Sequence, residues 1–269
     1  MTHQFLIASY WKDFRWLRPC LFSLRKFSRG FLPPVVCTDS ADAAEARRIC
    51  SQVFPGATVS VKDGRRGQGF MRAQIAMMSG DIHCPKADVT WLLGSDCVAY
   101  KEFSPQMYCL HGKPVLLWNT YVEIASPWGA GTSRILGFDC PWETMRRLPL
   151  GYPRELFPRV RAHVEAVSKM SFEDFIYHFH AGGNNVSESN IMGGYAMKFC
   201  PELYTLLHAS PDCPEYVKYR TPNSDAIAQF WSHGGFDRPA ETSVNYAPGK
   251  NTAGQTPRQS ITDMLGPIL

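Results

Sequence analysis

The stretch VTWLLGSDCVAY, residues 89–100, is apolar up to Gly94-Ser95-Asp96 and then turns apolar again. A carboxylate buried without a partner is costly. Asp96 therefore either meets a partner or stands where the strand end reaches a cleft. Three earlier apolar runs also end in polar residues: QFLIASY (4–10) near Ser9, PPVVCTD (33–39) at Asp39 and ATVSVKD (57–63) at Asp63. Turn chemistry alone often puts Asp at a strand end. In open α/β sheets, however, ligands bind beyond the carboxyl ends of the strands. Four such ends within the first 100 residues point together to one cleft built by the N-terminal half.

Other residues with chemical capacity have plainer uses. The basic, glycine-containing loop DGRRGQG (63–69) lies beside the expected cleft. Its backbone N–H groups and arginines can hold phosphates, although the spacing is not that of a Walker A loop and a solvated loop is the simpler reading. HFH (178–180) has ligand-like spacing, but positions i and i+2 do not share a helix face, so structural or surface histidines are expected. Trp118 and Trp128 suit either stacking on a ring or core packing. The arginine-rich stretch 145–163 reads as a solvated helix face or as a basic rim for an anionic acceptor. Nine scattered cysteines without a C-x-x-C pair argue against a disulfide framework or zinc finger, and for reduced, mostly buried thiols.

The elements that position these residues follow from periodicity. Helices are expected over 13–27, with apolar residues at 14, 17, 21, 24 and 27, over 42–54, and over 69–80 closing on Gly80 as C-cap. They alternate with the three strands above, a fourth over 88–100 and a fifth over 113–121. This alternation is the pattern of βαβ units and a mainly parallel sheet. Further on, a helix is expected from about Glu155, another opening at Ser171 with Asp174 in capping-box spacing, and a loop then a strand over 181–199. Thr221 and Pro222 read as the cap and first residue of a helix running to about Trp231.

The chain has 269 residues, 45% apolar and 19% charged, with a net charge of +4. These are globular values, and the mild basicity suits a phosphate-bearing ligand without marking a dedicated nucleic-acid binder. No apolar run approaches the roughly 20 residues of a membrane span. The N-terminus lacks a basic n-region and a cleavage site, so a cytoplasmic protein is expected.

The order of motifs resembles a family of small bacterial and phage proteins of the GT-A glycosyltransferase type. The residues that carry the likeness are Ser9-Tyr10, Asp13, Leu21, Ser23-Leu24 and Phe27, then Gly69-Phe70 and Gln74, then Gly94-Ser95-Asp96 in the place of a DxD motif. Ser187-Glu188 with Gly193-Gly194-Tyr195, and a late Ser232-His233-Gly234-Gly235, complete it. The resemblance implies an α/β, GT-A-like domain over 1–247, with a Rossmann-like nucleotide-sugar-binding half (1–121), an acceptor half (122–247) and a flexible tail (248–269). It implies transfer of a sugar from a nucleotide sugar, UDP-linked or similar, to a hydroxyl, assisted by Mn²⁺ or Mg²⁺. Asp96 and His233 become the candidate metal ligands. Ser9, Tyr10, Asp13, Asp39, Asp63, Arg72 and Ser95 become candidate nucleotide contacts. Glu188 is the first candidate general base and Asp225 the second. Gly94 departs from the motif, where an Asp is usual, and Met77 and Met78 stand where a basic residue is expected, a gap that Arg72, Arg65, Arg66 or Lys101 could fill. The acceptor stays open between a saccharide or cell-envelope intermediate and a hydroxymethylated pyrimidine in phage DNA. A non-catalytic nucleotide-sugar- or glycan-binding protein is the reading from another class.

Overall fold

The computed structural model describes residues 1–65, 69–146, 148–220 and 226–229. The first half is a run of βαβ units: β1 (His3–Ala8), α1 (Phe14–Phe27), β2 (Leu32–Thr38), α2 (Ala43–Val53), β3 (Thr58–Val61) and α3 (Gly69–Met77). A short α4 (Gly80–His83) precedes β4 (Val89–Gly94) and β5 (Cys97–Ala99). Then come β6 (Cys109–Leu110), β7 (Lys113–Thr120), α5 (Gly129–Leu136), β8 (Trp142–Glu143) and β9 (Leu150–Pro153). Helices α6 (Leu156–Ser168), α7 (Phe172–Ala181) and α8 (Glu188–Phe199) follow, and β10 (Thr205–His208), α9 (Pro214–Tyr219) and β11 (Ile227–Gln229) end the described chain.

The main sheet has the order β3-β2-β1-β4-β9. The first four strands are parallel and β9 runs antiparallel to β4. This is an α/β fold with a mixed sheet, compatible with a Rossmann-like arrangement. The central strands are buried on both faces, which is why they read as continuous apolar runs. Phe5 and Ile7 of β1 pack with Phe14, Leu17 and Leu21 of α1 and Ile49 of α2. Leu6 faces the other way, into a core shared by Ile75 of α3, Phe157 of α6, Ile176 of α7 and Ile191 of α8. No helix among the described residues is long and apolar enough to cross a membrane.

Several expectations need correction. The strand expected over 113–121 forms as β7, but in a second sheet with β10, β6 and β8, because β9 already occupies the free edge of β4. Gly80 does not close α3; it opens α4, where a Cβ would lie 2.5 Å from Phe157. The segment expected as a strand near 188–199 is the helix α8, capped by Ser187, whose side chain accepts from the Asn190 N–H. Residues 227–229 form β11, antiparallel to β5, within the span where a helix was expected to run to about Trp231; Thr221 and Pro222, its expected cap and first residue, lie outside the described residues. By contrast, Ser171 caps α7 as its spacing with Asp174 predicts.

Gly193 and Gly194 explain why α8 escaped the helix pattern. Cβ atoms there would lie 2.1 Å from Thr144 Oγ1 and 2.6 Å from Cys140 Sγ. The glycines let the helix press against 140–144. At an open helix position Gly→Ala gains about 1 kcal/mol. Here Gly193→Ala is expected to lower stability by about 1–3 kcal/mol through overpacking, measured as a drop in the urea midpoint at unchanged slope; a higher midpoint would contradict the close approach.

Candidate active site

Because β1 to β4 are parallel, their C-terminal ends share one edge of the sheet. The chain moves outward from β1 to β2 and β3, then returns to β4 on the other side of β1. That reversal, between β1 and β4, is a topological switch point, and doubly wound sheets bind ligands in the crevice outside the strand ends at such a point. The β1 end supplies Ser9, Tyr10 and Asp13, and the β4 end supplies Ser95 and Asp96.

Asp96 lies half-buried in the turn between β4 and β5. Pairing of β11 with β5 sets Gln229 opposite Cys97 and brings its Nε2 to 3.4 Å from both Asp96 carboxylate oxygens. Burial, with a smaller contribution from the charge of Asp13, raises the Asp96 pKa to about 6, while the amide of Gln229 opposes the rise. Gly94 has a steric role: a Cβ there would fall 2.4 Å from Asp96 Oδ1. The absent side chain leaves room for the Asp96 carboxylate to fold back beside its own strand. Gln229 went unnoticed in the sequence because the residue it pairs with, Cys97, lies 132 positions earlier. Ser95 is buried in the same turn.

At the β1 end, Arg72 is 4% exposed. Its Nη2 donates to the Ser9 carbonyl at 3.1 Å, and no carboxylate among the described residues pairs with it. The Ser9 hydroxyl is buried and has no hydrogen-bond partner there either. Gly64 closes over the arginine stem, since a Cβ at 64 would lie 2.8 Å from Arg72 Cβ. The loop is held down from outside: Lys62 pairs with Glu173, and Arg65 with Asp174 while stacking 4.8 Å over the Tyr177 ring. Arg65 is thus committed to α7, and Arg66 lies outside the described residues. Asp63 feels the charge of Arg72 without pairing with it; a buried guanidinium with no paired carboxylate among the described residues, beside an unsatisfied hydroxyl, is an environment that an anion completes.

Asp39 and Asp63, expected as nucleotide contacts, brace loops. Asp39 Oδ1 accepts from the Asp42 N–H at 3.0 Å, just before α2. Asp63 Oδ1 accepts from the Ser40 N–H at 2.7 Å, and this bond lowers its pKa. Asp42 in turn accepts from the Trp11 N–H at 2.8 Å, fixing the turn that carries Tyr10 and Asp13. Tyr10 is half-buried, and burial raises its pKa.

Glu188 is the first residue of α8 and half-buried. Gln74 of α3, two residues beyond Arg72, is buried and its Oε1 accepts from the Glu188 N–H at 2.8 Å. Burial raises the Glu188 pKa, opposed by hydrogen bonds from backbone N–H groups and the Gln74 side chain. Helix α3 thus presents Arg72 to the β1 end and, from a different face, Gln74 to the start of α8. Asp225 and His233 lie outside the described residues. Among the described residues no group of three or more His, Cys, Asp or Glu side chains could hold a metal.

The arginines expected as a basic rim are mostly spent internally. Arg161 makes a two-armed pair with Asp81 at 2.7 Å, Arg159 pairs with Glu155, and Arg154 donates to the Ala87 carbonyl. Arg146 is buried against Glu143. A cavity of about 710 Å³ opens at the opposite edge of the sheet, among Asp88, Lys113, Arg154 and Glu202. It is open to solvent, and Arg154 there is already satisfied, so the strand-end crevice is the better candidate. No protein-family model matches the chain, and no curated protein matches it.

Proposed function

We propose that the chain is a GT-A-like glycosyltransferase that moves a sugar from a nucleotide-sugar donor to a hydroxyl acceptor. The observation that carries the reading is the β1–β4 reversal, with a buried Arg72 that pairs with no carboxylate among the described residues on one side and Asp96 on the other. A diphosphate is the ligand that uses both: anionic oxygens for the guanidinium, and a shared divalent cation for the carboxylate. Oxygen donors suit Mn²⁺ or Mg²⁺. Asp96 fits that role, with Asp13 close enough to raise its pKa; His233 is the further ligand that the sequence resemblance implies. Bound there, the cation would neutralise the diphosphate as it leaves.

The chain's own residues do the rest. Arg72 and the Ser9 hydroxyl hold the departing phosphate and keep its charge out of water. Glu188, its carboxylate held by Gln74, accepts the proton of the attacking hydroxyl. Burial raises the Glu188 pKa and so makes its carboxylate a stronger base. A second reading, a nucleotide-sugar-binding protein without transfer, is favoured by the Gln229 amide against the Asp96 carboxylate and by Gly94 in the DxD position.

Thermal-shift titration of nucleoside diphosphates with and without Mn²⁺, followed by chromatography of the donor sugar, separates the two. Asp96→Asn is expected to abolish the Mn²⁺-dependent part of the shift. Glu188→Gln is expected to keep nucleotide binding while lowering turnover about 10²–10⁴-fold. Metal-dependent binding with neither hydrolysis nor transfer favours the binding protein; full turnover in Glu188→Gln removes the base assignment.

A further inference from the structure

Helix α1 and the segments just before and after it carry Lys12, Arg15, Arg18, Arg25, Lys26 and Arg29, with Asp13 as the only acid between positions 12 and 29. The spacing 15, 18, 22, 25 follows one helix face, on which Phe22 is the half-buried interruption, and Arg29 follows just beyond the helix end at Phe27. Arg15, Arg25, Lys26 and Arg29 are exposed, Arg18 half-buried, and Lys12 exposed at the end nearest the crevice. The opposite face of α1 is consumed by the sheet through Leu17, Leu21 and Leu24. The acids in reach are few. Glu45 of α2 is shared between Arg48 at 2.5 Å and Arg18 at 3.9 Å, Glu102 meets Arg29 at 2.6 Å, and Asp42 is taken by the Trp11 N–H. Arg47 and Arg48 on neighbouring α2 add to the same sign.

We infer that this face of α1 binds the sugar–phosphate backbone of a nucleic acid, laid from Arg29 towards the crevice at Lys12. A helix of this length spans about 21 Å, matching about six base-pair steps of duplex at ~3.4 Å per step. On α6 each arginine meets an acid, Arg159 with Glu155 and Arg161 with Asp81, whereas at α1 Arg25 donates to the Val53 carbonyl and Arg29 to the Lys26 and Ser28 carbonyls besides Glu102, so cations outnumber the acids they meet. A membrane surface is the weaker fit, because a helix that lies on lipid sinks an apolar face into it, and that face of α1 is already inside the protein. At the crevice end the exposed Trp11 ring, with Lys12 Nζ 5.3 Å from its centroid, offers a base a stacking platform. The inference rests on charge and geometry, independent of donor chemistry; joined to the proposed reaction it makes the acceptor-bearing partner a nucleic acid.

The test is fluorescence anisotropy of a short labelled DNA duplex, without donor sugar, against salt. Wild-type affinity is expected to fall about a hundredfold between about 50 and 200 mM salt. The variant Lys12→Ala/Arg25→Ala/Lys26→Ala/Arg29→Ala should bind at least about tenfold more weakly, with the log–log salt slope shallower by about 3. The control Lys86→Ala/Lys113→Ala/Lys169→Ala/Lys218→Ala makes the same change in net charge on other exposed surfaces and should bind as wild type. Lys12→Ala/Lys26→Ala, whose side chains make ring contacts and no ion pair among the described residues, covers the case in which the fourfold variant loses its fold, and should still give a shallower slope. Equal losses in the control, no binding at low salt, or binding to phosphatidylserine vesicles in place of DNA overturns the inference. Sugar transfer is measured separately, so loss of one result leaves the other standing.

Discussion

Arg72→Met is expected to weaken binding of a nucleoside diphosphate by about 30–4,000-fold while leaving the fold as stable as before or more so. The two effects come from the same fact. Arg72 is buried, donates to one carbonyl and has no carboxylate partner among the described residues. Truncating one member of a buried, hydrogen-bonded charge pair costs about 2–5 kcal/mol of binding, which at about 1.4 kcal/mol per decade gives that range. In the unliganded chain, however, the guanidinium carries a desolvation penalty that Met of similar length does not, and replacing buried charge by packed apolar volume is often neutral or stabilising. Calorimetric titration of the diphosphate and a urea melt of the free protein read the two halves. If Arg72→Met instead unfolds the protein and spares binding, the arginine is a brace for the Ser9 carbonyl, and the anion site is wrong.

Arg146→Met makes the opposite comparison, and the expected cost is about 3–5 kcal/mol of unfolding free energy. Arg146 and Glu143 are both almost fully buried, with Arg146 Nε 2.7 Å from Glu143 Oε2. The arginine also donates to Asn119 Oδ1 at 3.1 Å, and Asn119 donates to the Ala209 carbonyl at 3.2 Å. Next in the chain, the Thr144 N–H donates to Asn190 Oδ1 at 2.8 Å. One polar network therefore ties β7, β8, β10 and the first turn of α8, the turn that carries Glu188. Removing the cation strands a buried carboxylate. The double variant Glu143→Leu/Arg146→Met should recover most of the loss, because both charges leave together. A double variant no more stable than Arg146→Met would mean the pair is not the source of the cost. Burial raises the Glu143 pKa to about 7 against the pull of Arg146. A carboxyl whose folded pKa lies above its unfolded value of 4.5 contributes stability at low pH that is lost as pH rises through about 7. Replacing Glu143 should flatten that part of the stability profile.

The contrast between these arginines shows where sequence reading stopped. Positions 72 and 146 are both arginines in mixed apolar surroundings. Only the packing tells that one has an acid and the other does not. Glu143 lies three residues from Arg146 and was not singled out, because an i,i+3 pair is ordinary on a solvated surface and its burial is a tertiary fact. Asp39 and Asp63 were legible as strand-end acids, but local bonds to Asp42 and Ser40 account for them. Gln74 was part of a recognisable motif, yet its partner, the Glu188 N–H, is 114 positions away.

By itself the amino-acid sequence determined the βαβ alternation of the first hundred residues, the strand ends on one edge and the cap at Ser171. These depend on periodicities of two and 3.6 and on bonds between near neighbours, which a linear string records. Tertiary structure decided that β9 and not β7 completes the main sheet, that the Gly193-Gly194 segment is helical, that 227–229 is a strand, and that Gln229 meets Asp96. Each of these turns on groups far apart in the chain competing for one edge, one close approach or one buried charge. For Asp96, the sequence established that a carboxylate ends an apolar strand. The fold put it at the reversal between β1 and β4, and Gly94 proved to leave the space into which that carboxylate turns.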